Sequence, residues 1–281
     1  MFDTESASHL IQLALHEDLG DAGDLTSKAT LPDDTRLRGQ IVAKADGVIA
    51  GLPLVAAVYG QVDPTVDVHF NILEGASVTR GTLVAGVEGK GQSVLTGERV
   101  ALNFLQRLSG IATLTSQFVG ALKGTKTVIL DTRKTTPAWR SLEKWAVECG
   151  GGRNHRMGLY DMVMIKDNHI DGAGSITRAV EAVRAYEPAA HVLIEVEVRT
   201  LDELREVLPL NVDRVLLDNM TDDQMRESVT ITNGRVKLEA SGNMSLQRVA
   251  SVAATGVDYI SVGALTHSAP ALDLSMKIVR L

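Results

Sequence analysis

The sequence predicts an α/β fold in which an antiparallel segment precedes a parallel barrel of about six strands. After residue 125, six short β-branched runs recur, and a helical pattern follows almost every one. Near-continuous apolar runs are typical of strands buried on both faces, which form parallel sheets. Regular alternation of strand and helix leaves an open doubly wound sheet or a barrel. Since all runs but one end in a polar or charged residue, as strands around a reactive rim do, we favour the barrel.

Composition indicates a globular protein that needs a local basic site if it binds anions. The chain has 281 residues, of which 44% are hydrophobic and 22% charged, enough for one large domain or two smaller ones. Its formal net charge of -7 excludes a surface that attracts nucleic acid as a whole. No apolar run approaches the ~20 residues needed to cross a bilayer, so we expect no membrane partner.

Two further features favour a cytoplasmic location. Residues 1–5 are acidic and lack the basic-then-apolar order of a signal peptide. A single cysteine, Cys149, excludes an intramolecular disulfide and fits a reducing compartment. We expect Cys149 to be buried and inert, although a cationic loop beside it is the kind of environment that lowers a thiol pKa.

The first 122 residues combine helices with short strands separated by glycines. Apolar spacing predicts helices at 5–17 and 52–59, and Asp24 to Ser27 would either bind an anion or cap a helix, capping being the commoner use. The longest helical pattern, 93–122, contains Gly110, which we expect to divide it into two helices. Strands are predicted at 39–43, 66–72 and 82–87.

The second part of the chain supplies the barrel. Its strands are predicted at 128–131, 162–166, 192–195, 214–218, 236–241 and 259–263. Helical patterns lie between them at 138–147, 175–185, 201–207, 222–229 and 246–253. The tail after residue 268 is mixed apolar, and we expect it to pack back on the first domain.

Projected onto one rim, the strand ends bring together cations from the first two units and carboxylates from the next two. Such a set of charges is costly to desolvate without a ligand, so it predicts an anion site. The carboxylates would hold Mg²⁺, grip ribose hydroxyls or stabilise a developing cation. The loops after the last two strands are where barrels often bind phosphate through backbone N–H groups. The rim residues are Arg133, Lys134, His155, Arg156, Lys166, Glu195, Asp218 and Ser241, and the loops are Ser241-Gly242-Asn243 and Gly263-Ala264-Leu265.

Other functions fit parts of this pattern. Lys166 at a strand end would serve a Schiff-base aldolase, although its cationic neighbours favour charge neutralisation. His169 would relay a proton or make a structural hydrogen bond. A non-catalytic anion-binding or structural oligomer would also gather charge.

Several short motifs follow one another along the chain from about residue 17 to residue 281. They include Glu17-Asp18-Leu19-Gly20, Glu98 to Asn103, Asp131 to Pro137, Gly150 to Gly158, Ile165 to His169, Ile194 to Glu197, Leu217-Asp218-Asn219, Glu239 to Asn243 and Ser261 to Ser268. In this order they resemble the motifs of the quinolinate phosphoribosyltransferase family, also called the carboxylating nicotinate-nucleotide pyrophosphorylases.

The resemblance implies an N-terminal α/β sandwich, residues 1–108 with 268–281 packing back on it, and an incomplete α/β barrel, residues 109–267. It implies that quinolinate and phosphoribosyl pyrophosphate (PRPP) give nicotinate mononucleotide, pyrophosphate and CO2 with Mg²⁺, as in NAD biosynthesis. A nicotinate-type phosphoribosyltransferase is the alternative, but one carboxylate needs fewer cations.

The resemblance also assigns roles to residues. Catalysis falls to Lys134, Lys166, Glu195 and Asp218. Quinolinate is held by Arg99, Thr132, Arg133, His155, Arg156 and Lys166. PRPP is held by Lys134, Glu195, Asp218, Ser241, Gly242, Asn243, Gly263, Ala264 and Leu265. Glu195 and Asp218 hold Mg²⁺, directly or through water. Arg99 enters from a neighbouring subunit, which implies a homodimer or a larger homo-oligomer.

Overall fold

A computed structural model of the protein describes residues 4–281. The first three residues, on which part of the signal-peptide argument depends, lie outside the described residues. The chain divides into two compact units. The first unit contains the described residues up to Ser116 together with Ser141–Gly151 and Ala269–Leu281, and the second contains Gln117–Arg140 and Gly152–Ser268.

The helices and strands follow in chain order. The α-helices are α1 (Thr4–Leu19), α2 (Leu25–Thr30), α3 (Leu52–Val62), α4 (Gly91–Ala121), α5 (Arg140–Cys149), α6 (Asp167–Ala173), α7 (Ile176–Ala185), α8 (Leu201–Val207), α9 (Asp222–Thr232), α10 (Leu246–Ala253) and α11 (Ala264–His267). The strands are β1 (Arg36–Ala43), β2 (Gly47–Val48), β3 (Asp67–Phe70), β4 (Ser77–Val78), β5 (Leu83–Lys90), β6 (Val128–Leu130), β7 (Val163–Ile165), β8 (Ile194–Val198), β9 (Arg214–Asp218), β10 (Lys237–Ser241), β11 (Tyr259–Ser261) and β12 (Leu274–Arg280).

The first unit is built on an antiparallel sheet of four strands in the order β12-β1-β5-β3. Pairing of β12 with β1 brings the C-terminal strand into this unit, with Ala43 opposite Leu274 and Leu37 opposite Arg280. The predicted capping by Asp24 is confirmed, because its side chain accepts a hydrogen bond from the Ser27 backbone N–H at 2.9 Å, at the start of α2.

The prediction that Gly110 divides the long helical pattern is wrong. Helix α4 runs without interruption from Gly91 to Ala121. A Cβ atom at residue 110 would lie 2.0 Å from the carbonyl oxygen of Pro270, a distance that no real contact reaches. Glycine at position 110 therefore allows a neighbouring backbone to approach closely. This packing offsets the low helix propensity of glycine.

The second unit contains a six-stranded parallel sheet in the order β6-β11-β10-β9-β8-β7. The first and second strands in sequence, β6 and β7, are thus its two edges. Within residues 4–281 no ladder joins them, and only one isolated parallel bridge, between Leu130 and Arg153, lies beside β6. The predicted α/β fold with an incomplete parallel barrel is confirmed, and the barrel is open between β6 and β7.

Apolar side chains on one face of this sheet hold it against its covering layer. Val215, Leu217, Ala240 and Ile260 are fully buried on three neighbouring strands, as expected where both faces of a parallel sheet are covered. Burying each such side chain stabilises the fold by roughly 1.5–3 kcal/mol for the larger aliphatics. Within the part of the chain that the structure describes, no helix is both long and apolar enough to cross a membrane.

Candidate active site

A cavity of about 350 Å³ opens at the carboxyl ends of the parallel strands. All of its lining residues belong to the second unit. The loops that follow parallel strands all begin at this edge of the sheet, so side chains from distant parts of the sequence converge there. The lining residues are Thr132, Arg133, Lys134, His155, Arg156, Met164, Lys166, Glu197, Leu216, Asp218, Glu239, Ser241 and Ser261.

One side of the cavity carries two neighbouring positive groups, Arg133 and Arg156. The pKa of the Arg156 guanidinium is lowered by its partial burial and then by the charge of Arg133, whereas the charges of Glu195 and Asp161 act in the opposite direction. The Nε atom of Arg133 is buried without a hydrogen-bond partner among residues 4–281. The Arg156 guanidinium donates one hydrogen bond, from Nη1 to the Met162 carbonyl oxygen at 2.9 Å. Two half-buried guanidinium groups that repel each other form a site that an anion would stabilise.

Lys166 completes the cationic side but is already paired. Its Nζ lies 3.2 Å from Oε2 of Glu197, a lining residue that was not among the predicted site residues. The Lys166 backbone N–H donates to Nδ1 of His169 at 2.9 Å. Of the two roles that the sequence left open for His169, this hydrogen bond fits the structural one.

The prediction that Glu195 ends its strand is wrong. Strand β8 runs from Ile194 to Val198, so Glu195 is its second residue, and it is fully buried and does not line the cavity. Glu197 lies two positions further on, on the same face of the strand because side chains alternate. It reaches the cavity that Glu195 was expected to reach. The alternating run Glu195-Val196-Glu197 already indicated two candidates in the sequence, since both carboxylates fall on the same face of the predicted strand.

Beneath the rim, three buried side chains form a charged layer. Nε2 of His155 lies 2.9 Å from Oε2 of Glu195 and 3.5 Å from Oε2 of Glu239. Nδ1 of His155 accepts the Arg156 backbone N–H at 2.7 Å, which leaves Nε2 as the protonated nitrogen that donates to Glu195. Arg214 donates to Oε2 of Glu239 at 2.8 Å and stacks over Tyr259, 4.3 Å from the ring centroid.

Burial raises the pKa of both Glu195 and Glu239 to about 7, and for Glu239 the charge of Glu195 adds to the effect. Each carboxyl also has a buried Oε1 atom with no partner in the described chain. Together with His155 they lie close enough to chelate a metal ion. Arg214 already supplies a positive charge there, so we interpret the group as an ion-pair layer that fixes His155.

The opposite side of the cavity is built from two interlocked loops. Asp218 ends β9, and Nδ2 of Asn219 donates to Oδ2 of Asp218 at 2.8 Å. Asn219 has φ 54° and Gly242 has φ 102°. A Cβ atom at residue 242 would lie 2.1 Å from Oδ1 of Asn219. Glycine is therefore required at 242 both by backbone conformation and by the packing of the neighbouring loop.

Of the remaining predicted phosphate-binding residues, Gly263 lies beside Lys134. Thr266 Oγ1 donates to the Lys134 carbonyl oxygen at 2.8 Å. Gly263 leaves the Lys134 side chain room, since a Cβ there would be 3.1 Å from its Cδ. Of the residues in the two predicted phosphate loops, only Ser241 lines the cavity. The loop residues that do not line it are Gly242, Asn243, Gly263, Ala264 and the fully buried Leu265.

Two predicted or discussed residues belong to the first unit. Arg99 is exposed on α4, beside a surface groove that includes Asp18, Leu25 and Leu95. It does not line the cavity. Cys149 is half-buried, and burial together with Glu74 raises the pKa of its thiol to about 12. This agrees with the expectation of an inert cysteine, because the thiolate is the reactive form.

Comparison with known proteins explains this arrangement of charge. Residues 24–109 match the N-terminal domain of quinolinate phosphoribosyl transferase, and residues 111–277 match its C-terminal domain. The chain belongs to the quinolinate phosphoribosyltransferase family. It is 46% identical over 286 residues to quinolinate phosphoribosyltransferase [decarboxylating] 1b of Nicotiana tabacum, covering 96% of this chain and 81% of that relative.

Solved structures agree with the family assignment. The crystal structure of NadC from Streptococcus pyogenes superposes with a TM-score of 0.96 at 39% identity, covering 100% of this chain and 99% of that one. Human nicotinic acid phosphoribosyltransferase matches at a TM-score of 0.62 with 12% identity, covering 91% of this chain and 72% of that one. At that identity only the fold is shared, so the fold alone does not separate a diacid substrate from a monoacid.

Proposed function

We propose that this chain transfers the phosphoribosyl group of PRPP to quinolinate and that the adduct loses CO2, giving nicotinate mononucleotide and pyrophosphate for NAD biosynthesis. The observation that carries the proposal is the cavity of the second unit, which sets Arg133, Arg156 and Lys166 opposite Asp218. Family membership and the printed activity of the Nicotiana tabacum relative support it.

The cationic side binds the pyridine dicarboxylate. Two carboxylates require several fixed positive groups, and guanidinium groups bind carboxylates through paired hydrogen bonds. Arg133 and Arg156 are close enough for one charge to lower the pKa of the other, and a dianion between them removes that repulsion. Thr132 and His155 line the same cavity. Thr132 contributes a hydrogen bond to a ring substituent, whereas both ring nitrogens of His155 are hydrogen-bonded within the protein, so His155 contributes a wall of the site.

The acidic side holds the sugar. Glu197 and Asp218 accept hydrogen bonds from ribose hydroxyls and stabilise the positive charge that develops on the sugar as pyrophosphate leaves. Glu197 takes the role first expected of Glu195, because it is the carboxylate of β8 that lines the cavity. Lys134 contacts the phosphates of the donor, and Ser241 with the loops Gly242-Asn243 and Gly263 to Leu265 takes the 5′-phosphate.

The donor set fits Mg²⁺ at the rim. Mg²⁺ prefers oxygen ligands and is commonly held by one or two carboxylates together with substrate phosphates. Asp218 and Glu197 line the cavity and would hold the ion, directly or through water. When bound there, Mg²⁺ would supply positive charge that offsets the negative charge of the departing pyrophosphate. The buried group around Glu195 and Glu239 does not fit, since Arg214 already occupies it.

Once its nitrogen is bonded to the sugar, the ring becomes a pyridinium. The bond from ring carbon 2 to its carboxylate then breaks, the electron pair stays on that carbon, and a proton from solvent replaces CO2. The positive ring nitrogen stabilises the electron pair, so the protein need not supply a base. The work of the residues is positioning and charge complementarity.

A second subunit completes the quinolinate site in this proposal. Arg99 lies in the first unit, is exposed and has no ion pair or hydrogen bond within residues 4–281. A free guanidinium is available to an anion of another copy, which supports a homodimer or larger homo-oligomer. The single cysteine, which can form no intramolecular disulfide, supports a reducing, cytoplasmic location.

Turnover tests the proposal directly. The purified protein is supplied with PRPP, Mg²⁺ and either quinolinate or nicotinate, without ATP, and nicotinate mononucleotide and CO2 are measured. We expect turnover with quinolinate and little with nicotinate. Preference for nicotinate would overturn the choice of substrate. Borohydride trapping with a keto substrate addresses the aldolase alternative, and we expect no adduct because Nζ of Lys166 is held in an ion pair with Glu197.

A further inference from the structure

The gap in the barrel coincides with the cationic side of the cavity. Arg133 follows β6 and Arg156 precedes β7, the two strands that do not pair. On the β6 side, the Arg153 backbone N–H donates to Ile129 and the Asp131 N–H donates to the Arg153 carbonyl. The His155 backbone N–H also donates to Oδ1 of Asp131 at 2.8 Å. These contacts hold residues 153–155 against the end of β6, but no ladder joins the loop segments 133–135 and 156–157, so a further link between them would help to fix the separation of two guanidinium groups that repel each other.

Arg140 spans the two loops. Its Nε donates to Thr135 Oγ1 at 3.1 Å, and its Nη1 donates to the Met157 carbonyl oxygen at 3.1 Å. Met157 directly follows Arg156, and Thr135 lies two residues after Arg133. Both acceptors are neutral. Arg140 therefore joins the loops without neutralising the positive charge that faces the ligand, which a carboxylate at this place would do.

Arg248, on α10, makes the same kind of connection on the acidic side. Its Nη1 donates to the Gly242 carbonyl oxygen at 3.0 Å and its Nη2 donates to the Met220 carbonyl oxygen at 2.9 Å. Met220 lies two residues after Asp218, and Gly242 follows Ser241. Both acceptors are backbone carbonyl oxygens and, as for Arg140, both are neutral. Its nearest carboxylate, Asp222, is 4.0 Å away.

We propose that Arg140 and Arg248 are positioning residues, each aligning one half of the site: Arg140 the cations for the pyridine dicarboxylate, and Arg248 the groups for the phosphoribosyl donor. The proposal rests on the proposed function. A guanidinium suits this task because its planar fork donates to two loops at once, whereas an ammonium is a single point donor.

Steady-state kinetics with both substrates varied tests the division. We expect Arg140→Gln to raise the KM for quinolinate about tenfold, corresponding to about 1.4 kcal/mol, while the KM for PRPP changes less than about twofold. Arg248→Gln should do the reverse, because its loops carry Asp218 and Ser241. A purely structural role would move both KM values together or lower only the amount of folded enzyme. Arg140→Lys and Arg248→Lys should give the same split, since charge alone does not restore the second contact.

Arg235→Gln is the matched control. Its guanidinium also donates to backbone carbonyls, those of Thr232 and Ile231, but it lies at the end of α9 and outside the cavity lining. We expect both KM values of this variant to match those of the wild type. If the Gln variants do not fold, the Lys variants carry the test.

Equal effects on the two KM values, or none in a folded variant, would overturn the positioning roles. The wild type is assayed first with quinolinate and PRPP, so failure of the proposed function is seen there, independently of the variants. A wild type that turns over quinolinate and variants that show no split would remove the positioning proposal alone.

Discussion

Glu195 and Glu197 lie on the same face of β8, two residues apart, and have opposite surroundings. Glu195 is fully buried and bonded to His155, whereas Glu197 lines the cavity and pairs with Lys166. One step of about 6.6 Å along a strand thus separates a carboxylate surrounded by protein from one that faces the ligand. The difference shows that distance from the rim, and not residue type or strand, divides the charged residues of this barrel into those that hold the fold and those that act on substrate.

The largest effect should come from breaking the buried layer. Glu239→Ala leaves Arg214 without the carboxylate that it contacts at 2.8 Å. Removing one partner of a buried pair costs about 3–5 kcal/mol, so the midpoint of urea unfolding should fall markedly. Glu227→Ala is the matched control, since its pair with Arg205 at 3.4 Å is about half exposed on both sides, and we expect a change of at most about 1 kcal/mol. Equal stability of the two variants would contradict the idea of a structural layer.

The next effect concerns the rim. Glu197→Gln keeps the shape of the side chain but removes the charge that stabilises an electron-poor sugar. We expect kcat/KM to fall about a hundredfold, equivalent to about 2.7 kcal/mol of transition-state stabilisation. Thermal unfolding should change little, because the side chain faces the cavity. A variant that keeps wild-type kcat/KM would show that Glu197 does not act on the substrate. The distinction between carboxylates that hold the fold and carboxylates that act on the substrate would then not apply to β8.

These two variants also show how far sequence reasoning reaches. The strand and helix pattern, and Asp218 at the end of its strand, followed from periodicity because both are local. The choice between Glu195 and Glu197 did not, since the alternating run continues past Glu195 and the end of β8 is set by pairing of Glu197 with Leu216 and Val198 with Leu217 on β9. Similarly, Gly110 has the sequence context of a helix break, and the reason that a glycine stands inside the continuous helix α4 is the close approach of Pro270, far away in the sequence.

Gly110 gives a test of a residue that serves packing alone. Gly110→Ala places a Cβ atom 2.0 Å from the Pro270 carbonyl oxygen, and we expect the free energy of unfolding to fall by about 1–3 kcal/mol through overpacking. Gly120→Ala lies on the same helix with nothing within 4 Å of the new atom, so it should gain up to about 1 kcal/mol from helix propensity. Chemical denaturation of both variants measures the difference. Stabilisation by both substitutions would mean that the backbone approach is not real.

The smallest effect is a pH dependence of stability that comes from the two buried carboxyl groups, Glu195 and Glu239. Burial raises the pKa of Glu195 and Glu239 to about 7, above the ordinary value of about 4.3. Between these values the folded state binds more protons than the unfolded state, so stability falls as pH rises. The cost is absent below the unfolded pKa, grows through this window and is complete above about pH 7.

Glu195→Gln removes one of these titrating groups while leaving a side chain of the same size. Relative to this variant, the wild type should therefore lose stability between pH 5 and pH 8, by an amount on the order of 1 kcal/mol. Urea unfolding at several pH values measures the difference between the wild type and this variant. If the wild type instead gains stability relative to Glu195→Gln as pH rises, the buried carboxyl group is already ionised at low pH. That result would contradict the assignment of Glu195 and Glu239 to a desolvated layer beneath the site.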